Sequence, residues 1–284
     1  MATLSAILET TDFEKVAGGL LFTEGPLWHP EGFFYFVDIR GNVLCRVTPG
    51  LPHEVVRTTE GGNGTTFDLQ GRLINCEGAG RRVTRTELDG TVVTLVDHFE
   101  GKRLNRPNDV ICRSDGTLFF TDPGLRVPLA ERELDNACIY RINPDDTVAE
   151  VGPFEYPNGL ALSPDERTLY VANTRWTQYI HAVELNEAGE MSNRRIFADM
   201  SAEGTNGVPD GMKVDVEGRV FCTGTDGTWV FSPDGALIGI IETPELCANI
   251  AFGGPDMQTL LFTASTSVYT LRVKTPGLPH PWYG

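Results

Sequence analysis

The sequence predicts an all-β protein, and more specifically a six-bladed β-propeller. Short apolar and aromatic runs recur along its 284 residues, and most of them follow a turn of the Asp-Gly kind. Such turns between apolar runs are typical of β-hairpins. No window longer than about ten residues repeats its apolar positions every 3.6 residues, so we expect no long helix.

A fixed offset relates one residue of each repeat to the turn that follows it. Seven residues before each turn residue stands a Glu, Asp or Asn, and these six positions are Glu24, Asn63, Asn108, Asn158, Asp210 and Asn249. The steps between them are 39, 45, 50, 52 and 39 residues. Periods of about 40–50 residues that each hold three or four short strands are typical of propeller blades. A double-sheet sandwich is the alternative fold, but it gives no reason for six repeats in one register.

The last repeat offers about three strands, Asn249–Phe252, Thr259–Thr263 and Ser267–Val273. We predict that Phe13–Ala17 adds the fourth strand and closes the ring, so that residues 1–284 form one propeller domain. The first strand of each repeat is then the innermost strand of its blade. The six offset residues would form a ring of oxygen-bearing side chains at one end of the central channel.

Charge and composition limit the partners. Asp plus Glu number 39 and Lys plus Arg number 23, and the net charge of −16 repels nucleic acids and anionic membranes. No apolar run approaches the roughly 20 residues that span a bilayer, and the first residues do not resemble a signal peptide. We therefore expect a cytoplasmic protein with no nucleic-acid and no membrane partner. The six cysteines form no C-x-x-C pair and are expected to be reduced and mostly buried, while nothing indicates the oligomeric state.

Four of the ring positions lie in distinctive motifs, Glu24-Gly25-Pro26, Pro107-Asn108-Asp109, Pro157-Asn158-Gly159 and Pro209-Asp210-Gly211. Two carboxylates that converge on one axis repel each other unless they are protonated or neutralised. We therefore predict one divalent cation held by Glu24, Asp210 and the amide oxygen of Asn158. Oxygen ligands suit Ca²⁺, Mg²⁺ or Mn²⁺, with Zn²⁺ and Fe²⁺ as alternatives.

The same motifs resemble the gluconolactonase family that also contains senescence marker protein and the luciferin-regenerating enzyme. The matching stretches run in order along the chain, Glu24–Trp28, Asn105–Asp109, Pro157–Ser163 and Pro209–Asp215. The resemblance implies a six-bladed propeller that binds one divalent metal and opens sugar lactones, such as gluconolactone or xylonolactone. It also implies that Glu24, Asn158 and Asp210 bind the metal. By the same resemblance Arg106 and Asn108 contact the substrate, and Asp210 acts as the acid or base.

Water is expected to be the nucleophile, because no motif prepares a Ser or Cys for covalent catalysis. Asp210 and a hydroxide on the metal are alternative bases, since a bound cation lowers the pKa of its carboxylate ligands. Two other functions stay open. One is a non-enzymatic propeller that binds a protein and has a structural metal, and the other is a hydrolase of aryl or phosphate esters at the same site.

Other residues are expected near the mouth of the channel. Asn63 belongs to the ring, and Glu77 and Arg175 are further hydrogen-bonding groups that suit a polyol. Trp176, in a loop-like stretch, is a candidate pocket residue. Gly78 stands where bacterial relatives often have His after Cys-Glu, and this departure is expected to widen the mouth or to change the substrate preference.

Overall fold

The computed structural model describes residues 3–124, 126–202 and 207–283. In these residues, six four-stranded antiparallel sheets follow one another around a central channel, which confirms the six-bladed propeller. The first blade comprises β2 Thr23–His29, β3 Phe33–Asp38, β4 Val43–Val47 and β5 Glu54–Thr58. The second comprises β6 Gly62–Phe67, β7 Leu73–Glu77, β8 Arg82–Thr86 and β9 Val92–Val96. The third comprises β12 Val110–Cys112, β13 Leu118–Asp122, β14 Ala137–Ile142 and β15 Val148–Phe154.

The other three blades have the same order of strands. The fourth comprises β16 Pro157–Leu162, β17 Thr168–Asn173, β18 Tyr179–Leu185 and β19 Met191–Asp199. The fifth comprises β20 Met212–Val214, β21 Val220–Gly224, β22 Gly227–Phe231 and β23 Leu237–Ile241. The sixth comprises β24 Cys247–Gly253, β25 Thr259–Ala264 and β26 Ser267–Arg272, with β1 Glu14–Gly18 at its outer edge. The last blade therefore joins the two ends of the chain, because Glu14 lies opposite Thr270 in the β1–β26 pair.

The turn between the first two strands of each blade is the same in all six blades. In each, a residue eight positions after the ring residue has positive φ, and its N–H donates to the carbonyl three residues earlier. The six residues with positive φ are Gly32, Gly71, Gly116, Glu166, Gly218 and Met257. A repeated turn of one geometry sets the register of each hairpin, and so places the ring residues at one height.

Glycines let the innermost strands approach each other around the channel. Gly25 has a φ of +52°, and a Cβ there would overlap the carbonyl oxygen of Asn63 in the next blade. A Cβ on Gly159 would overlap the carbonyl oxygen of Asp210 in the same way. Any larger residue at either position would force the neighbouring strands apart.

Buried apolar side chains fill the space between neighbouring sheets. Phe221 and Val230 of one blade, for example, pack with Ile250 and Phe262 of the next. All six cysteines are buried and free, as expected. The propeller core is thus made of sheet-to-sheet contacts, and the channel is left to polar residues.

The remaining elements are short. They are the helix α1 Leu4–Ile7, the 3₁₀ turns Leu129–Glu131 and Pro281–Tyr283, and a small hairpin of β10 His98–Phe99 and β11 Lys102–Arg103. No helix in the described part of the chain has the length and apolar character needed to cross a membrane. The cytoplasmic location stays a prediction.

The segment that follows β26 crosses the end of the propeller opposite the ring residues. The Leu278 N–H donates to the carbonyl of Val214, and the Tyr283 hydroxyl donates to the carbonyl of Trp28. The segment therefore connects the fifth blade to the first across that end.

Candidate active site at one end of the channel

The six ring residues lie at one end of the channel, and neighbouring positions contact each other all the way round. Three of these contacts are close packing: Gly25 lies against the carbonyl of Asn63, Gly159 against the carbonyl of Asp210, and Gly211 against the side chain of Asn249. The other three are hydrogen bonds: the Gly64 N–H donates to the carbonyl of Asn108, Thr121 Oγ1 donates to the carbonyl of Asn158, and Asn249 Nδ2 donates to Glu24 Oε2. The ring brings together Glu24, Asn158 and Asp210, the three residues predicted to bind a metal.

The hydrogen bonds of this trio leave oxygen atoms available for a cation. Glu24 is 2 % exposed, and both Asn249 Nδ2 and the Gly25 N–H donate to its Oε2 at 2.9 Å. Among the described residues no donor reaches Oε1 of Glu24. The Nδ2 of Asn158 donates to Thr174 Oγ1 at 2.9 Å, which fixes the amide so that Oδ1 is its free atom. Two carboxylates and one amide oxygen fit a hard divalent cation.

The charges of these residues oppose each other in the absence of a cation. Burial raises the pKa of Glu24 from 4.5 to about 7, and the hydrogen bonds from Gly25 and Asn249 only partly offset this effect. The pKa of Asp210 is also raised well above its usual value, by burial and then by the nearby carboxylates of Glu24 and Asp109. The site therefore favours a proton or another cation between the carboxylates.

Two charged residues that follow ring positions lie near the same axis. Asp109 is 4 % exposed and accepts hydrogen bonds from the N–H groups of Val110 and Leu160. The Lys213 ammonium donates to the carbonyl of Met212 at 2.9 Å and attracts the carboxylates of Asp109 and Glu24. The axis thus has three carboxylates and one ammonium, a formal charge of −2 when all are ionised.

Arg106 and Asn108, the predicted substrate contacts, line the mouth beside Asn63. Asp122 holds the chain that presents Arg106, because its carboxylate accepts the N–H groups of Asn105 at 2.8 Å and Arg106 at 2.5 Å. Arg106 and Asn108 are half-buried, so their side chains are accessible from the mouth.

The mouth is covered by side chains from the neighbouring loops. Arg126 and Tyr156 line a cleft with Arg106 and Asn108 that encloses about 10 Å³, room for about one water molecule. A sugar lactone is larger than this cleft. A larger cavity of about 600 Å³ lies at the other end of the channel and does not include the ring carboxylates.

Gly78 does not widen the mouth. The side chain of Arg106 fills the space beside this glycine, because a Cβ on Gly78 would lie 3.0 Å from Cγ and 3.2 Å from Nε of Arg106. The glycine therefore lets the arginine fold across the neighbouring blade.

Three other expected mouth residues have different surroundings. Glu77 is 1 % exposed and pairs with Arg57 at 2.8 Å and Arg82 at 2.7 Å, so its carboxylate is already satisfied. The Arg175 guanidinium lies over the ring of Tyr156, 5.9 Å from its centroid. Trp176 is 71 % exposed and does not line the cleft.

The sequence analysis missed Arg126, Tyr156, Asp109 and Lys213 as site residues. Asp109 and Lys213 belong to motifs that it had singled out, and an inward position on an innermost strand was the signal that could have found them. Arg126 lies in the connection between β13 and β14, which is much longer than its counterparts in the other blades, so no repeated pattern marked it. Tyr156 stands two residues before Asn158, the offset that Arg106 has from Asn108, and this shared offset was the signal that could have found it.

The chain is similar to known proteins over most of its length. Residues 22–266 match the family model described as an SMP-30/gluconolactonase/LRE-like region. The chain is 30 % identical to a gluconolactonase of Zymomonas mobilis, over 96 % of this chain and 85 % of that protein. It is 33 % identical to the pentonolactonase XacC of Haloferax volcanii, over 85 % of this chain and 81 % of that protein.

A solved structure gives the same result. A gluconolactonase from Xanthomonas campestris superimposes with a TM-score of 0.88 and 35 % identity, over 95 % of this chain and 92 % of that chain. The chain therefore belongs to the SMP-30/gluconolactonase/LRE-like family.

Proposed function

We propose that this protein is an enzyme that hydrolyses sugar lactones, aldonolactones such as gluconolactone or xylonolactone among them, to the open-chain acids. The observation that carries the proposal is that Glu24, Asn158 and Asp210 converge at the end of the channel where Arg106 and Asn108 line a cleft. Relatives named gluconolactonase and pentonolactonase support the same activity.

The trio Glu24, Asn158 and Asp210 would hold one divalent cation through carboxylate and amide oxygens. Such ligands suit Ca²⁺, Mg²⁺ or Mn²⁺, and Zn²⁺ or Fe²⁺ can also bind them. When bound, the cation supplies Lewis-acid polarisation of the lactone carbonyl. The neutralised carboxylates then lose their mutual repulsion, so the folded state gains stability as well.

The protein residues account for the rest of the reaction. Asp210, in the ring at this end of the channel, accepts a proton from the water molecule whose oxygen bonds to the carbonyl carbon. The ring C–O bond then breaks, and the leaving oxygen takes up the proton, so that the product is a hydroxy acid that ionises in solution. Arg106 and Asn108 donate hydrogen bonds to the hydroxyls of the sugar and hold the carbonyl over Asp210.

The direct test is acid release from gluconolactone and xylonolactone, measured above their spontaneous rates with and without added divalent metals. Metal-dependent release supports the proposal. No release with any of the five metals, by protein whose fold is verified by circular dichroism, would overturn it. Release from aryl or phosphate esters but not from sugar lactones would favour the alternative hydrolase.

We expect kcat/KM for gluconolactone to exceed that for unsubstituted δ-valerolactone by at least about tenfold, the effect of roughly one good hydrogen bond. A mouth built of hydrogen-bonding groups rejects a ligand that leaves them unpaired. Arg106→Ala should reduce this ratio. Equal rates on the two lactones, or a preference for dihydrocoumarin, would contradict a polyol-binding mouth even if the cation site were correct.

Gly78→Val should raise KM for gluconolactone about tenfold, because the new side chain takes the space that Arg106 now occupies. The two sites act through one side chain, so Gly78→Val should add little in an Arg106→Ala background. Steady-state kinetics of the two single variants and the double variant measure this coupling. Fully additive losses would show that Gly78 acts on something other than Arg106.

A further inference from the structure

Two guanidinium groups share the mouth of the site. Arg106 is half-buried and Arg126 is exposed, and both line the cleft above the ring. Burial lowers the pKa of Arg106, and the nearby positive charge of Arg126 lowers it further, so the two guanidinium groups repel each other. Within the described residues, neither forms an ion pair with a carboxylate within 4 Å.

The chain has 39 acidic and 23 basic residues, so carboxylates outnumber the cationic side chains that they could pair with. Some arginines are paired, since Arg72 lies 2.7 Å from Asp68 and Arg219 lies 2.6 Å from Asp215, whereas others in the described part of the chain, such as the exposed Arg195, are not. Arg106 and Arg126 are distinguished by lining one cleft together. A pair of like charges without a counter-ion costs free energy in the empty site, and an anion that binds both removes this cost.

The carboxylates on the axis do not supply that counter-ion once a divalent cation is present. Three carboxylates and the Lys213 ammonium leave a formal charge of −2, which one divalent cation neutralises. Arg126 attracts Asp210, but the cation competes for the same carboxylate. Arg106 and Arg126, the two charged residues that line the cleft, then keep their positive charges.

A neutral lactone produces only one negative charge, and only after its ring has opened. A lactone that already has an acidic substituent brings one charge on binding and a second on hydrolysis, which matches the two guanidiniums. Guanidinium forks bind carboxylate, sulfonate and phosphate in a bidentate manner.

We propose that Arg106 and Arg126 make the enzyme prefer sugar lactones that have a second, anionic group, a carboxylate, sulfonate or phosphate, over neutral aldonolactones. This proposal rests on the lactonase function proposed above and narrows its substrate class. Arg106 then has two roles, as a donor to sugar hydroxyls and as half of an anion site. Arg126 is the residue specific to the anion.

The first test compares D-glucaro-1,4-lactone with D-glucono-1,4-lactone, which differ only in a carboxylate in place of a hydroxymethyl group. We expect kcat/KM to favour the anionic lactone by about tenfold or more at low salt. The preference should shrink as ionic strength rises, because the Debye length falls to about 3 Å at 1 M. Arg126→Gln should bring the ratio close to one.

Arg195→Gln is the matched control. Arg195 is exposed on the outer strand β19 and lies over the ring of Phe197, so the change removes the same charge away from the mouth. The ratio of the two lactones should stay at its wild-type value in this variant. If both variants lower the ratio equally, the effect comes from overall charge and the proposal is wrong.

The second test measures binding without turnover. Calorimetry with D-glucarate and D-gluconate, in Mg²⁺, should show that glucarate binds about tenfold more tightly and that Arg126→Gln removes the difference. If neither lactone is hydrolysed, the lactonase proposal fails and the binding difference alone decides the role of the arginines. If the neutral lactone is hydrolysed but the anionic one is not preferred in both measurements, this inference fails and the lactonase proposal stands.

Discussion

We expect Asp210→Asn to lower the rate of sugar lactone hydrolysis by about 10²- to 10⁴-fold, the usual effect of losing a general base. The substitution keeps the size of the side chain and removes both the proton acceptor and one charge that holds the cation. The fold should survive, because Asp210 is connected to its neighbours through backbone bonds such as its N–H to the carbonyl of Thr223. In chelator at pH 8 the variant should melt at or above the wild-type temperature, since one repelling carboxylate is gone.

Two further variants show whether Asp210 acts as a base or only as a ligand of the cation. Glu24→Gln should weaken cation affinity first, so that excess metal restores part of its activity, whereas Asp210→Asn should not recover. Asp89→Asn is the matched control, because Asp89 is exposed in a hairpin turn where an Asn oxygen can also accept the Thr91 N–H. Activity of Asp210→Asn within a few-fold of wild type at saturating metal would show that Asp210 is neither base nor necessary ligand.

Removal of divalent cations should make the protein less stable as the pH rises. The pKa of Glu24 is raised from 4.5 to about 7 in the folded state. The folded chain therefore keeps a proton that the unfolded chain loses above about pH 4.5, and stability falls as the pH rises through 7. Asp210, with a pKa raised by burial and by Glu24, acts in the same direction.

Saturating divalent cation should reverse this trend. At about 100 times its Kd, a ligand that binds only the folded state adds about 2.7 kcal/mol, which corresponds to roughly 5–10 °C in Tm for a chain of this size. The gain should be larger at pH 8 than at pH 5, because protons compete with the cation at low pH. Thermal melts in chelator and in each of the five metals measure both effects. In chelator, the Tm of Glu24→Gln should fall less steeply with pH than the Tm of the wild type. A Tm in chelator that rises from pH 5 to pH 8, with no shift by any metal, would contradict the cation site.

The fold could be predicted because its evidence is local and repeated. Each blade contains the same turn, in which the N–H of the residue eight positions after the ring residue donates to the carbonyl three residues earlier. Such a turn depends only on neighbouring residues, so six copies of it are visible in the sequence alone. The ring of Glu, Asp and Asn followed from the same offset.

The surroundings of the ring depended on distant residues and could not be predicted. Glu77 looked available for a sugar, yet Arg57 and Arg82 from neighbouring strands neutralise it. Gly78 looked like an opening, yet Arg106 from the next blade fills the space. Arg126 lies in the long connection from Asp122 to Ala137, where no repeat constrains the chain. Pairings of this kind are decided by which blades become neighbours, and the period of a sequence does not contain that information.

The sheet shared by both ends of the chain has a consequence during synthesis. Strand β1 finds its partner only when residues 267–272 leave the ribosome, and Glu14 and Thr270 are 256 residues apart. At about 5–20 residues per second, β1 is without its partner for roughly 13–50 s. An unpaired strand is a template for aggregation, but β1 has only five residues, and Glu14 and Lys15 are charged and exposed even in the finished sheet. A nascent chain that stops before β26 would leave both β1 and the outer edge of β25 without a hydrogen-bonding partner.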